Sequence, residues 1–191
     1  MLYADDTQVY KSFGLNDCLS SILCVEKCVF DVKTCMTFNK LQMNEDKTDV
    51  LLVTAKEIFN LQHLPEFMNI NDTCVKVSHS VRNLGITLDS NLSLHQHVMN
   101  VCRVAYLELR HINRLRNLLS VDAVKTLDCS HALSRLHYCN SLLVGLHQFL
   151  IRLQEVQNAA ARSILRTTRS EHISPLLQNL LWLPVNRGTL H

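Results

Sequence analysis

The sequence predicts an α+β fold in which a small antiparallel sheet with one helix precedes an all-α helical bundle. Short segments rich in β-forming residues are confined to residues 1–89. Apolar residues at three- and four-residue steps dominate residues 90–191. Because strands and helices are segregated along the chain, the pattern favours separate layers over a doubly wound parallel sheet. We therefore expect two regions, 1–89 and 90–191.

The first region begins with a predicted hairpin, since apolar runs flank the adjacent acids Asp5 and Asp6. A helix follows, with Asn16 or Asp17 as its cap. Its apolar face is formed by Leu19, Ile22, Val25, Val29, Val32 and Met36. The remaining predicted elements are a strand at 47–54, a hairpin of 67–70 with 73–77, and one strand at 81–88 containing Gly85.

The second region is predicted to consist of helices. The first is amphipathic, and its apolar face comprises Val98, Val101, Ala105, Leu109, Ile112 and Leu119. Ser120 is the expected cap of a second helix over about 121–143, which ends near Gly145. A third helix is predicted over about 149–166, with Leu153, Val156, Ala160 and Ile164 facing inward. A short fourth begins at Ser174-Pro175, where proline suits the first turn.

Charge is distributed unevenly along the chain. Residues 1–89 carry 8 Lys+Arg and 12 Asp+Glu, whereas residues 90–191 carry 11 and 5. The basic half contains a single lysine, and arginine favours bidentate contacts with phosphate. No apolar run reaches membrane-spanning length, and the early acids argue against a secretion signal. With eight cysteines and no export signal, we expect reduced thiols and a cytoplasmic or nuclear location.

Asp5 and Asp6 are the first candidates for chemistry. Adjacent carboxylates repel each other unless a proton or a cation neutralises them. Oxygen ligands of this kind suit Mg²⁺, and paired carboxylates serve two-metal phosphoryl transfer. The ordinary alternative is a polar turn, because aspartate is a common turn residue.

Six segments, in one order, resemble the reverse transcriptases of non-LTR (LINE-type) retrotransposons from their Tyr-x-Asp-Asp motif onward. The segments are Tyr3–Tyr10, Asn39–Thr48, Val81–Ile86, Ser134–Leu143, Leu153–Arg162 and Leu181–Val185. The resemblance implies that residues 1–89 are the C-terminal part of the polymerase palm and that 90–191 are a helical thumb. It implies an RNA-directed DNA polymerase acting on an RNA template and a DNA primer, with Mg²⁺ held by Asp5 and Asp6.

The resemblance also implies that the catalytic site is incomplete in these 191 residues. In the family a further aspartate, on an earlier strand, shares the metals, and the fingers receive the nucleotide. Neither precedes Met1 in this sequence, so we expect a fragment that does not polymerise by itself. Mg²⁺ binding is expected only when the missing N-terminal polymerase portion completes the site.

Lys47 and Gly85 match two further palm motifs. The resemblance implies that Lys47 protonates the leaving pyrophosphate and that Gly85 lies in the hairpin that steadies the primer end. The residues alone favour the reading of Lys47 as a solvated lysine after a loop. Gly85 is equally a packing glycine within a strand.

Arg103, Arg110 and Arg114 form a stripe opposite the apolar face of the first helix in the second region. Spaced by one or two turns, they can follow phosphates without reading bases, as the resemblance implies for a thumb. A solvated helix face is the alternative. No aromatic residues are interleaved with the basic ones, so the sequence predicts no stacking platform for single strands.

Two other readings of the whole chain stay open. It is either a non-catalytic nucleic-acid-binding remnant of such a polymerase or an inert product of a decayed element with exposed apolar surface. Zinc binding is disfavoured, because cysteine and histidine lack the paired C-x₂-C spacing of zinc ribbons.

Overall fold

The protein has a mixed α+β structure, as the sequence predicts, with helices and small sheets of two or three strands. A computed structural model describes residues 2–3, 6–14, 17–44, 47–54, 65–70, 73–138, 140–143 and 146–185. The chain divides into two compact units. The first holds residues 1–81 and 89–92, and the second holds residues 82–88 and 93–191.

The first unit opens with the predicted hairpin. Strand β1 (Leu2–Tyr3) pairs antiparallel with β2 (Asp6–Thr7), so that Tyr3 is opposite Asp6. Helix α1 (Cys18–Phe38) follows. It ends in a left-handed turn at Lys40, after which the Leu41 N–H donates to the Met36 carbonyl at 2.8 Å. This bond satisfies a carbonyl of the last turn, which otherwise lacks a partner.

Helix α1 presents the face that its periodicity predicts. The half-buried positions include Ile22, Val25, Val29, Val32 and Met36, whereas Leu19 is exposed. Glu26 accepts the backbone N–H of Asn69 at 2.9 Å, which holds α1 against strand β4 (Phe67–Ile70). Large apolar side chains on the other face, Leu23, Phe30 and Phe38, remain exposed.

The three-stranded sheet differs from the prediction in one pairing. Strand β5 (Thr73–Ser78) lies between β3 (Val50–Leu51) and β4, and its pairing with β4 is the predicted hairpin. However, β3 pairs with β5 in parallel, with Val50 opposite Val77. The prediction of an antiparallel sheet was therefore wrong for this pair. About twenty residues separate the two strands, enough for the chain to return in the parallel direction.

Residues 80–89 form a hairpin, and the prediction of a single strand there was wrong. Strands β6 (Ser80–Asn83) and β7 (Ile86–Asp89) pair across a turn at Leu84 and Gly85. Both turn residues have positive φ, 46° and 83°. Such two-residue turns match the twist of the paired strands. Leucine rarely adopts this conformation, so the sequence contains no ordinary turn signal here.

The second unit is built mainly from helices α2 (His95–Leu115) and α5 (His147–Leu165). Ile86 and Leu88 of the hairpin pack against their core. Most of the predicted inward residues are buried, whereas Val101 and Leu119 are half-buried and Leu119 lies beyond the end of α2. The buried ones are Val98, Ala105, Leu109 and Ile112 on α2 and Leu153, Val156, Ala160 and Ile164 on α5. A second cluster includes Val124, Ala161 and Leu177. None of the described helices combines the length and apolar character that a bilayer crossing requires.

The helix predicted over 121–143 is interrupted. Helix α3 (Val121–Leu127) begins at the predicted cap, where Ser120 Oγ accepts the Ala123 N–H at 3.2 Å. A π-helical turn (Asp128–Leu133) and the short helix α4 (Ser134–His137) follow. The Ser130 hydroxyl donates to the Leu127 carbonyl at 3.1 Å, and such bonds bend helices. Tyr138 then takes an extended conformation, which ends α4.

The end of the described chain is held by two glutamines of α5. Gln157, only 1% exposed, donates from Nε2 to the Leu183 carbonyl at 2.9 Å. Gln154 accepts the Val185 N–H at 2.8 Å and donates to Gln157 Oε1 at 2.8 Å. These bonds give partners to buried polar groups, which would lower the stability of the protein if they were left unpaired. They position the segment after helix α6 (Ile173–Asn179).

Candidate metal and nucleic-acid sites

The hairpin of β1 and β2 carries the predicted metal ligands. The two strands pair antiparallel as predicted, and Asp6 lies in β2 opposite Tyr3. Asp5 lies outside the described residues, and so does the side chain of Asp6. By donor type, two adjacent carboxylates fit Mg²⁺, which prefers hard oxygen ligands. Their role in holding the ion stays a prediction.

Lys47 lies three residues before strand β3, with its side chain exposed. Its backbone N–H donates to the Asn44 carbonyl at 3.3 Å, and the Thr48 hydroxyl donates to the same carbonyl at 3.2 Å. The turn that these bonds close directs the chain into the strand. The exposure of the Lys47 ammonium fits both readings, contact with a substrate and an ordinary solvated surface lysine.

The turn at Leu84 and Gly85 is held by Tyr138 of the second unit. The Tyr138 hydroxyl donates to the Leu84 carbonyl at 2.6 Å. A Cβ built on Gly85 would stand 3.4 Å from Tyr138 Cε1. Gly85 is thus packed against an aromatic side chain of the protein, in a turn and not within a strand. A residue with a Cβ would also be strained here, because φ is positive.

His97 secures the next strand of the same hairpin. Its side chain is 7% exposed, and Nδ1 accepts the backbone N–H of Thr87 at 3.4 Å. Burial lowers the pKa of His97, which keeps the ring neutral and leaves Nδ1 free to accept. Together, Tyr138 and His97 fix the hairpin against the helices.

The predicted arginine stripe lies on the exposed face of α2. Arg103, Arg110 and Arg114 are all exposed, opposite the buried face of the helix. Arg103 Nη2 donates to Asn100 Oδ1 at 3.4 Å. The predicted placement is confirmed, and the nucleic-acid-binding role stays a prediction.

A cleft of about 640 Å³ opens between α2 and α5. Its walls are formed by Tyr106 and Asn113 of α2, by Glu155, Asn158, Ala159, Arg162 and Ser163 of α5, and by Thr167 and Arg169. Tyr106 therefore stands close to two arginines that are more than fifty residues away in the sequence. The prediction of no aromatic among the basic residues was wrong, because Tyr106 lies between Arg103 and Arg110 along α2. Helix packing adds Arg162 and Arg169 to its surroundings.

Arg116 and Asp128 are two buried charged groups that sequence reasoning missed. Arg116, 7% exposed, donates to the carbonyls of Ser163 at 3.3 Å, Ile164 at 2.8 Å and Leu119 at 3.5 Å. Asp128 is fully buried, and neither carboxyl oxygen has a hydrogen-bond partner among the described residues. Burial raises the pKa of Asp128 to about 7, against the opposing effect of the Arg116 charge. A π-helical turn begins at Asp128 and marks this position as unusual, but the turn is visible only in the structure.

The cysteines are free thiols in the described part of the chain. Cys24, Cys28 and Cys35 are exposed on α1. Burial raises the pKa of Cys102 and of Cys129, which keeps both thiols protonated and unreactive. Among the described residues, no three His, Cys, Asp or Glu side chains come together as a metal-binding group.

Comparison with known proteins identifies no relative of this chain. No family model matches it, and neither do the curated proteins or the solved structures. The family assignment therefore depends on the six motif segments, and it is carried forward as a proposal.

Proposed function

We propose that the chain is the C-terminal palm and thumb region of a LINE-type reverse transcriptase. The observation that carries the proposal is the ordered set of six motif segments beginning with Tyr3-Ala4-Asp5-Asp6. Contacts between the segments support it. Tyr138 of the fourth segment bonds to Leu84 of the third. Gln154 and Gln157 of the fifth hold the backbone of the sixth at Val185 and Leu183.

In this proposal Asp5 and Asp6 hold Mg²⁺, which when bound supplies charge stabilisation to the transferring phosphoryl group. Lys47 carries an exposed ammonium that is able to donate a proton to the leaving group. The hairpin of β6 and β7, fixed by Tyr138 and His97, supports the primer end. The arginine stripe of α2 contacts the phosphates of the template–primer duplex.

The experiment that tests the chemistry is a chimera. The fingers and upstream palm of a LINE-type reverse transcriptase are fused before Met1, and Mg²⁺-dependent nucleotide incorporation is measured on an RNA template with a DNA primer. We expect incorporation that is lost with Asp5→Asn or Asp6→Asn, because removing a metal ligand removes the preorganised charge at the reacting phosphate. The 191-residue chain by itself is the matched control and should not extend the primer.

Two results would contradict this proposal. One is incorporation that persists in the double variant Asp5→Asn, Asp6→Asn. The other is a folded chimera that binds template–primer and does not incorporate nucleotides. Circular dichroism and duplex binding establish that each protein is folded before activity is compared.

A second candidate function, nucleic-acid binding without chemistry, is favoured by the exposed stripe on α2. We expect the combined variant Arg103→Ala, Arg110→Ala, Arg114→Ala to weaken duplex binding. The slope of log affinity against log salt should fall by roughly two to three, since each lost phosphate contact contributes about 0.9. Fluorescence anisotropy across a salt series measures both effects.

The matched control removes three exposed arginines elsewhere in the second unit, with Arg82→Ala, Arg135→Ala and Arg152→Ala. It has the same net charge as the stripe variant. Equal loss of affinity in the two variants would show a diffuse charge effect and would contradict a specific stripe.

A further inference from the structure

The lining of the cleft between α2 and α5 is rich in hydrogen-bond donors. Asn113 Oδ1 already accepts the Ser163 hydroxyl at 2.6 Å, and Asn158 Oδ1 accepts from Gln154 Nε2 at 2.8 Å. Both amide NH₂ groups are therefore left to donate to a ligand. Arg162 and Arg169 add two guanidinium groups. A lining of this composition suits an anionic ligand that accepts several hydrogen bonds, of which phosphate is the common biological example.

Two further donors in the wall lack partners. Arg162 Nε and Thr167 Oγ1 are buried and make no hydrogen bond to any described residue. An unsatisfied buried donor destabilises a protein, and native structures contain few of them. Both groups belong to residues that line the cleft, where an anionic oxygen is a suitable acceptor.

Tyr106 adds an aromatic surface to the rim of the cleft. Tyr106 is 44% exposed, so part of its side-chain surface is open to a ligand. Burial of its remaining surface and the Glu155 carboxylate raise the pKa of Tyr106, and the phenol stays neutral. Unpaired bases stack on such rings regardless of sequence, whereas bases within a duplex are already stacked on each other.

One arginine of the stripe lies within about one helical turn of two residues that line the cleft. Arg110 follows Tyr106 by four positions on α2 and precedes Asn113 by three, so all three lie on one side of the helix. A ligand in the cleft therefore has further positive charge nearby. This charge favours a strand with several phosphates over a single nucleotide.

We propose that the cleft between α2 and α5 binds single-stranded nucleic acid, with phosphates at Arg162 and Arg169 and one unpaired base on the Tyr106 ring. Glu155 is the sole acidic side chain among the lining residues, and it limits the cleft to strands whose phosphates lie on the arginine side. The assignment of the ligand as nucleic acid depends on the function proposed above. The single-stranded form depends on Tyr106.

The test is fluorescence anisotropy of the 191-residue chain with a labelled 12-nucleotide RNA and with the duplex of the same sequence. We expect Tyr106→Leu to weaken single-strand binding about tenfold, the lower part of the range for a lost stacking platform. Tyr106→Phe keeps the ring and should bind as the unmodified chain does. Arg169→Gln should weaken binding and reduce the salt slope by about 0.7. Arg135→Gln, an exposed change outside the cleft, is the control.

The two proposals fail in different ways. If Tyr106→Leu and Arg169→Gln bind the single strand as the unmodified chain does, the cleft proposal is overturned. Loss of duplex binding in the stripe variant would still support the function proposed above. Equal weakening of single strand and duplex by Tyr106→Leu would likewise overturn a single-strand site. If the unmodified chain binds neither form, both nucleic-acid proposals fall.

Discussion

Arg116→Met is expected to lower the free energy of unfolding of the second unit by about 1–3 kcal/mol for each carbonyl that it leaves buried without a donor. Arg116 donates to three carbonyls, two of which, Ser163 and Ile164, belong to the last turn of α5. The methionine fills similar volume, so the loss reflects carbonyls left without donors and an Asp128 charge left without its neighbouring cation. A cation at a helix C-terminus also interacts favourably with the helix dipole.

The measurement is urea unfolding followed by fluorescence of Trp182, the single tryptophan, which packs against both core clusters of the second unit. Arg114→Met, an exposed change two residues away, is the matched control and should stay within about 0.5 kcal/mol of the unmodified chain. The Arg116→Met loss should be larger at pH 8 than at pH 5, because Asp128 is mostly ionised only at the higher pH. Equal stability of the two variants would contradict the structural role of Arg116.

Asp128→Asn should stabilise the second unit above pH 7 by a few kcal/mol. The folded-state pKa of about 7 lies well above the ordinary value of 3.8. The folded chain consequently holds a proton that the unfolded chain has lost between these two values. Its free energy of unfolding therefore falls as pH rises through that interval and levels off above it. A neutral amide removes the ionisation, so this pH dependence should disappear in the variant.

Urea unfolding at pH 5, 7 and 8 measures the effect. Asp122→Asn, on the exposed side of α3, is the control and should keep the pH dependence of the unmodified chain. His97 changes the stability in the opposite direction with pH, because burial lowers the pKa of its ring. The free energy of unfolding therefore falls as the pH drops below 6.5, the ordinary pKa of histidine. Both the Asp128→Asn variant and the unmodified chain contain His97, so the contribution of His97 cancels when their stabilities are compared. If the variant were less stable at pH 8 than the unmodified chain, the carboxylate would have a favourable partner.

Local patterns predicted most of the elements. Helices α1, α2 and α5 and the hairpin of β4 and β5 follow from periodicity and turn residues, because these depend on neighbours within a few positions. The parallel pairing of β3 with β5 and the hairpin at Leu84 and Gly85 did not follow. The direction in which β3 pairs depends on residues far away in the sequence. Leucine is not a usual turn residue, so the positive φ of Leu84 could not be predicted from the sequence.

The sequence by itself determined the helical periods, the acidic and basic halves and the antiparallel hairpin of β1 and β2, whose second strand begins at Asp6. Only the tertiary structure decided which polar groups share an environment. It placed Tyr106 beside Arg162 and Arg169, and it buried Arg116 and Asp128 among apolar side chains. The physical reason is that hydrogen bonding, stacking and desolvation depend on distances in space, whereas sequence patterns record only the few residues that precede and follow.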